Sequence, residues 1–138
     1  MPYPEMMVAP MRQDLVRLGF QELRTPEQVN QAMEAMDGTM VVAVNSVCGC
    51  AAGAMRPAVM LALDNDKQPD HKLTVFAGQD LEATAEARKY FVGYPPSSPS
   101  VALMKDGEMV YMMERFQIEG RTAPEIAEDL KAAFDEHC

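Results

Sequence analysis

The sequence predicts an α/β domain with a central mixed sheet, flanking helices and an N-terminal helical extension. Apolar runs typical of strands alternate with helical segments, and the tight-turn pair Asp106-Gly107 joins the last two strands. Strand–helix alternation gives parallel pairing in the first half of the chain, and the hairpin adds an antiparallel edge. After the extension, the predicted order is β-α-β-α-β-α-β-β-α. At 138 residues, we expect a single domain spanning 1–138.

The first elements are short. A helix is predicted over 11–18 and a strand over 20–24. The segment TPEQ at 25–28 is a helix start, because its threonine can cap, its proline suits the first helical position and its glutamine can close a capping box. Apolar side chains then follow at helical spacing: Val29, Ala32, Met33 and Met36.

The most apolar strand lies in the middle of the chain. Residues 39–45, TMVVAVN, form a continuous apolar run that is typical of a strand buried on both faces. A helix is predicted over 49–64, and Pro57 should kink it because proline lacks the backbone N–H. The remaining predicted elements are a strand over 72–77, a helix over 80–91, strands over 100–105 and 108–114, and a capped helix over 122–136.

The strand over 108–114 carries three methionines. Strict alternation puts Met112 on the face opposite Met109 and Met113, so they form no single cluster. The 13 methionines of the chain are therefore interpreted as packing residues rather than as a copper site. His71 and His137 are interpreted as surface residues.

Charge and hydropathy exclude some classes of function. The net charge is −9, which argues against a protein that mainly binds the phosphate backbone of nucleic acids. No apolar run reaches membrane-spanning length, and prolines and charges occupy the N-terminus where a secretory signal would be apolar. We therefore expect a cytoplasmic protein that binds neither nucleic acid nor membrane.

The three cysteines do not form the even set of a structural disulfide framework. Cys48 and Cys50 are separated by one residue, and Cys138 is the last residue. The pair falls between the end of the predicted strand over 39–45 and the start of the next helix. Sites in open α/β sheets are found at this edge. Free amides and the dipole at a helix N-terminus favour a thiolate.

The sequence around the pair carries almost no charge. Within 38–63, Arg56 is the only charged residue, so no neighbouring carboxylate in the sequence opposes a thiolate. Arg56 lies about two turns into the predicted helix, and its positive charge can stabilise a thiolate at short range.

The spacing of the pair favours exchange over permanent cross-linking. Two cysteines separated by Gly49 can close a very small disulfide ring, and glycine tolerates the strained backbone of that ring. Strain makes a disulfide easier to reduce. Two alternatives remain: buried cysteines acting as small apolar residues, or a metal site. The metal site would need further ligands, and only His71, His137 and Cys138 are candidates.

Ser98-Pro99, just before the strand over 100–105, is a second indication of a site at the cysteine turn. If the bond before Pro99 is cis, the backbone here would face the cysteine turn, because this strand starts at the end where the strand over 39–45 finishes. The alternative is an ordinary turn proline, since most bonds before proline are trans.

Three stretches resemble a known family over nearly the whole chain. APMRQDLVRLGFQEL, VVAVNSVCGCAAGAMRP and FDEHC are similar to bacilliredoxins, and NSVCGCAAG-x-x-RP is quite specific. The resemblance implies a thioredoxin-like fold and a thiol–disulfide oxidoreductase that removes bacillithiol from S-bacillithiolated proteins. Bacillithiol would be a co-substrate rather than a bound cofactor, and a reductase would recycle the enzyme.

The resemblance also implies roles for individual residues. Cys48 would be the nucleophile, and Cys50 or a second bacillithiol would resolve the adduct. The residues expected to bind or position the substrate are Gly49, Ser98, Pro99 and Arg56. The redox role of Cys138 is open. The last predicted helix begins at the cysteine end and runs about 20 Å away, so we expect that Cys138 does not reach Cys48 within a monomer.

The sequence differs from thioredoxin at several positions, so other functions remain as alternatives. The spacing is Cys-x-Cys, tryptophan is absent, and the strand over 39–45 has no counterpart of the buried aspartate of thioredoxin. The proton acceptor is therefore not identified. One alternative is a protein disulfide isomerase or oxidant. Another is a non-catalytic redox- or metal-responsive binding protein.

Overall fold

The computed structural model describes residues 2–35 and 37–138, so Met36 of the second predicted helix lies outside the described residues. The elements are α1 (Glu5–Val16), β1 (Gln21–Glu22), α2 (Pro26–Glu34), β2 (Thr39–Asn45), a π-helical turn (Ala51–Met55), α3 (Arg56–Ala62), β3 (His71–Phe76), α4 (Leu81–Arg88), β4 (Ser100–Lys105), β5 (Glu108–Met113), α5 (Arg115–Ile118) and α6 (Ala123–His137).

The five strands form one mixed sheet in the order β1-β3-β2-β4-β5. β1, β3 and β2 pair in parallel, whereas β4 pairs antiparallel with both β2 and β5. The predicted α/β class with a mixed sheet is confirmed. β2 lies at the centre, and all seven of its residues are buried, as the continuous apolar run predicts.

Helices cover both faces of the sheet. Val41 and Ala43 of β2 pack into a cluster with residues of α3 and α6. Met40, Val42 and Val44 pack into a second cluster with residues of α2 and α4. This alternation follows from the two-residue period of a strand. Among the described residues, no helix combines the length and apolar character needed to cross a membrane.

Three helical segments differ from the predictions. α1 begins at Glu5 rather than at residue 11, and α5 was not predicted. The segment predicted as one helix with Pro57 inside it is helical without a break from 49 to 62, but 51–55 form a π-helical turn that leads directly into α3. Pro57 follows the π-helical turn, and such a turn is a known way to fit an irregularity inside a helix.

A β-bulge in β5 changes which side chains share a face. Lys105 pairs with Glu108, but Leu103 pairs with Tyr111, so Val110 is an extra residue. Met109 and Met112 consequently pack into the same cluster. Met113 packs into the other cluster. The prediction that Met109 and Met112 lie on opposite faces was wrong, because one extra residue reverses the alternation.

Buried charges fix α1 across one end of the sheet. Arg12 is 5% exposed and donates to Asp80 Oδ2 at 2.7 Å and to Glu5 Oε1 at 2.7 Å. Its guanidinium also stacks over the Phe76 ring, 5.3 Å from the ring centre. α1 thereby reaches the end of β2 from which the cysteine turn departs, where its Met11 carbonyl accepts a hydrogen bond from Asn45.

Candidate functional site

The cysteine pair lies directly beyond β2. The Cys48 amide donates to Ser46 Oγ at 3.2 Å, and the Cys48 carbonyl accepts from the amides of Ala51 and Ala52 at 2.9 and 3.2 Å. The pair therefore lies where the sequence predicts, between the carboxyl end of a central strand and the start of a helical segment. Cys48 and Cys50 are half-buried free thiols.

The two sulfur atoms are in contact, and their environments differ. The Sγ atoms of Cys48 and Cys50 are 2.7 Å apart, and the Cys50 amide donates to Cys48 Sγ at 3.4 Å. The pKa of Cys48 is lowered, chiefly because the Cys50 thiol donates to its sulfur. The Cys50 amide, the charge of Arg115 and the Ala51 amide also lower it, while burial opposes them.

The pKa of Cys50 moves in the opposite direction. It is raised, first by the hydrogen bond to Cys48, then by burial and by the charge on Cys48. Because the two groups titrate as a pair, the first proton lost leaves a thiolate on Cys48 that the Cys50 thiol stabilises. This arrangement favours a thiolate on Cys48 over one on Cys50.

Arg56 lies beneath the turn rather than beside the sulfurs. It is 6% exposed, and its Nη1 donates to Asn45 Oδ1 at 2.9 Å and to the Ser46 carbonyl at 3.1 Å. Its Nε donates to Asp14 of α1 at 3.0 Å. These contacts give Arg56 a role in holding the backbone before Cys48. The cation that lowers the pKa of Cys48 is Arg115.

Ser98 and Pro99 lie next to the cysteine turn. The bond between them is cis. A cavity of about 260 Å³ opens at Cys48, and its lining includes Ser46, Cys48, Gly78, Ser98 and Arg115. The hypothesis that this segment faces the cysteines thus agrees with the structure.

Arg115 is a site residue that the sequence analysis did not identify. Its amide donates to Ser97 Oγ at 2.7 Å, and its guanidinium pairs with Glu119. The signal in the sequence is the predicted hairpin, since β5 ends beside the start of β4. The bulge sets only which residue Arg115 faces: the observed register, continued from Val101–Met113, places it opposite Pro99, and without the extra residue it would lie opposite Ser98.

Gly49 is exposed, and its backbone is not in the left-handed region. A Cβ added there would meet nothing within 4 Å. The reduced protein therefore does not require glycine at this position for steric reasons. We expect glycine to matter only when the disulfide ring between Cys48 and Cys50 closes.

Cys138 lies at the opposite end of the sheet. A hydrogen bond links its side chain to Thr39, the first residue of β2, whereas the cysteine turn follows Asn45 at the other end. Seven residues of strand separate the two ends by about 20 Å. Cys138 is therefore out of reach of Cys48 within one molecule. Burial is the main cause of its raised pKa.

Within 2–35 and 37–138, no three His, Cys, Asp or Glu side chains are grouped so that they could hold a metal ion.

Comparisons with solved structures support the fold. A thioredoxin of Fasciola hepatica superposes with a TM-score of 0.57 at 17% identity, covering 86% of this chain and 100% of that one. Mitochondrial thioredoxin 3 of Saccharomyces cerevisiae gives 0.56 at 15% identity, covering 86% and 96%. The fold is therefore that of thioredoxin, as the resemblance implied.

Comparisons of sequence identify the family. A family model described as disulphide isomerase matches residues 3–138. A bacilliredoxin of Salinibacter ruber is 58% identical over 140 aligned residues, covering 100% of this chain and 82% of that protein. A bacilliredoxin of Geobacillus kaustophilus is 56% identical, covering 99% and 94%. The chain belongs to the bacilliredoxin family of thiol–disulfide oxidoreductases with the thioredoxin fold.

Proposed function

We propose that this protein removes bacillithiol from S-bacillithiolated proteins in the cytoplasm through Cys48 and Cys50, and that a reductase then recycles it. The observation that carries the proposal is the contact between two thiols with oppositely shifted pKa values. In such a pair, the sulfur of lowered pKa ionises and can attack a disulfide, whereas the other sulfur stays protonated until it resolves the adduct.

In the first step, the Cys48 thiolate attacks the bacillithiol sulfur of the mixed disulfide. A Cys48–bacillithiol disulfide forms, the original disulfide breaks, and the protein substrate leaves as its own thiolate. The lowered pKa of Cys48 increases the fraction of the thiolate, which is the attacking species.

In the second step, Cys50 resolves the adduct. While Cys48 is a thiolate, its charge and hydrogen bond keep Cys50 protonated. Once Cys48 is bonded to bacillithiol that charge is gone, so the pKa of Cys50 falls and its proton passes to solvent or to the leaving thiol. The Cys50 thiolate then attacks Cys48 Sγ, the Cys48–Cys50 disulfide forms, and bacillithiol leaves. Two electrons and two protons from the recycling reductase restore the dithiol. A second bacillithiol can replace Cys50 as the resolving thiol.

Intact mass measurement tests this proposal. Reduced Cys50→Ala and Cys48→Ala variants are each mixed with oxidised bacillithiol, and the products are weighed. The proposal predicts a stable adduct of one bacillithiol on Cys50→Ala and no adduct at the site in Cys48→Ala. Equal labelling of both variants, or no adduct on either, would contradict it.

A second candidate function is disulfide isomerisation in proteins, which the description of the matching family model favours. The exposed Phe116 adjoins Ser98 and Arg115 in a neighbouring concave surface and offers an apolar contact for a protein chain. This function predicts recovery of activity from a scrambled, disulfide-containing protein when no small thiol is added. Dependence of that recovery on bacillithiol would favour the first proposal.

A further inference from the structure

The cavity at Cys48 has an unusual charge distribution for this protein. The chain carries a net charge of −9. Among the described residues that line the cavity, however, Arg115 alone is charged, and the others are small, apolar or neutral polar residues. A ligand whose sulfur meets Cys48 would therefore face one positive charge, and the lining would carry no negative charge other than the Cys48 thiolate itself.

The guanidinium of Arg115 is free to exchange partners. It is 47% exposed, and its main partner is Glu119, the residue directly after α5, which is similarly exposed. A second contact, from Nη1 to the Ser98 carbonyl, is long at 3.4 Å. Exposed ion pairs of this kind contribute little to stability, so a carboxylate of a ligand can displace Glu119 at small cost. Arginine offers two parallel N–H donors to such a group.

The backbone of Arg115, in contrast, is held firmly. Its amide donates to Ser97 Oγ at 2.7 Å, next to the Ser98–Pro99 segment. Reciprocal hydrogen bonds between Glu114 and Gln117 cap the start of α5. The side chain therefore extends from a fixed point beside Cys48, which reduces the ordering needed when a ligand binds.

We propose that Arg115 binds a carboxylate of the small thiol that becomes attached to Cys48, so that this side chain recognises the co-substrate. The cavity of about 260 Å³ is near the small end of ligand pockets, which suits the small-molecule half of a mixed disulfide. This inference rests on the proposed function and assigns a specificity-determining residue to it.

Arg115 also lowers the pKa of Cys48, and the test must separate that effect from binding. A changed fraction of thiolate alters the reaction with every disulfide equally, whereas recognition of a carboxylate alters only reactions with anionic disulfides. The ratio of two rates isolates recognition. Suitable probes are dithiodipropionate, with a carboxylate on each half, and the neutral hydroxyethyl disulfide.

The experiment measures adduct formation on Cys48 by intact mass in the Cys50→Ala background, at one pH and low ionic strength. Arg115→Gln should lower the ratio of the dithiodipropionate rate to the hydroxyethyl disulfide rate by on the order of tenfold. Glu119→Gln, which removes the competing carboxylate, should raise the ratio. The matched control is Lys89→Gln, because Lys89 is also an exposed cation paired with a glutamate, Glu86, and it should leave the ratio unchanged.

The outcomes distinguish this inference from the function on which it rests. An equal loss of both rates in Arg115→Gln would overturn the inference, because Arg115 would then act only through the thiolate. So would the same fall in the ratio in Lys89→Gln. Neither probe contains bacillithiol, so the ratio can support the inference even if bacillithiol forms no adduct. If neither probe forms an adduct, Cys48 is not the nucleophile, and both proposals fail.

Discussion

Arg56 Nη1 donates a hydrogen bond to Asn45 Oδ1 at 2.9 Å, and the same oxygen accepts from the Ser46 amide at 2.9 Å. Ser46 Oγ in turn accepts from the Cys48 amide. Hydrogen bonds thus link a buried guanidinium, through Asn45 and Ser46, to Cys48, the residue proposed as the nucleophile. Thioredoxin places a buried acid near its cysteines, whereas this protein places a buried cation beneath the turn.

The first prediction concerns that cation. Arg56→Met keeps the length of the side chain but leaves the Ser46 carbonyl without this buried donor, so the free energy of unfolding should fall by about 2–3 kcal/mol. Arg17→Met is the control, because Arg17 also pairs with Asp14 but is 70% exposed, and it should cost less than about 0.5 kcal/mol. Urea denaturation of the reduced proteins measures both values. Similar losses in the two variants would show that Arg56 has no special structural role.

The second prediction concerns the pH dependence of Cys48. Because the Cys50 thiol is the main cause of its lowered pKa, Cys50→Ala should raise that pKa. The rate of Cys48 alkylation by iodoacetamide should then rise only at higher pH than in the unmodified protein. Cys50→Ser keeps a hydroxyl donor and should restore most of the shift. Coincident profiles for the alanine and serine variants would argue against the hydrogen bond as the cause.

The third prediction concerns Gly49. An added Cβ meets nothing within 4 Å at Gly49 or at Gly53. Alanine at either position should therefore leave the free energy of unfolding of the reduced protein unchanged or raise it by about 0.5–1 kcal/mol. Only Gly49→Ala constrains the backbone between the two cysteines, so only this variant should be less oxidised at equilibrium with a dithiol buffer. Mass analysis after alkylation gives the oxidised fraction, and an equal shift in Gly53→Ala would refute the explanation.

The fourth prediction concerns Cys138. Because it lies at the far end of β2 from the cysteine turn, oxidation of dilute protein should yield no Cys48–Cys138 disulfide within one molecule. Cys138→Ser should form the bacillithiol adduct at the rate of the unmodified protein. Peptide mapping under non-reducing conditions checks the first expectation. Rapid appearance of the cross-linked peptide would contradict the geometry.

Local signals predicted much of the framework. The apolar run over 39–45 corresponds to β2 residue for residue. A strand that is buried on both faces is apolar along nearly its whole length, so its sequence is easy to recognise. The cap at Thr122 is present with its reciprocal partner Glu125. At the earlier cap, Thr25 accepts from the Gln28 amide, but the Gln28 side chain accepts from the Arg24 amide rather than from Thr25.

The features that were missed depend on contacts distant in sequence. Arg115 reaches the Cys48 cavity because the β4–β5 hairpin places it opposite Pro99, and no pattern around Arg115 itself marks that pairing. Asn45 ends an apolar strand, and only its contacts with Met11 of α1 and Arg56 of α3 show why a polar side chain is buried there. Such pairings arise when elements pack, so a linear pattern does not contain them.

The bulge at Val110 lies at an edge of the sheet. β5 is one of the two outermost strands, and an uninterrupted outer strand allows strands of other molecules to add to the sheet. Val110 breaks the regular spacing of amides and carbonyls there, and Glu108 places a charge at the start of the same strand. By interrupting the ladder at this edge, the irregularity disfavours pairing between the β5 strands of two molecules.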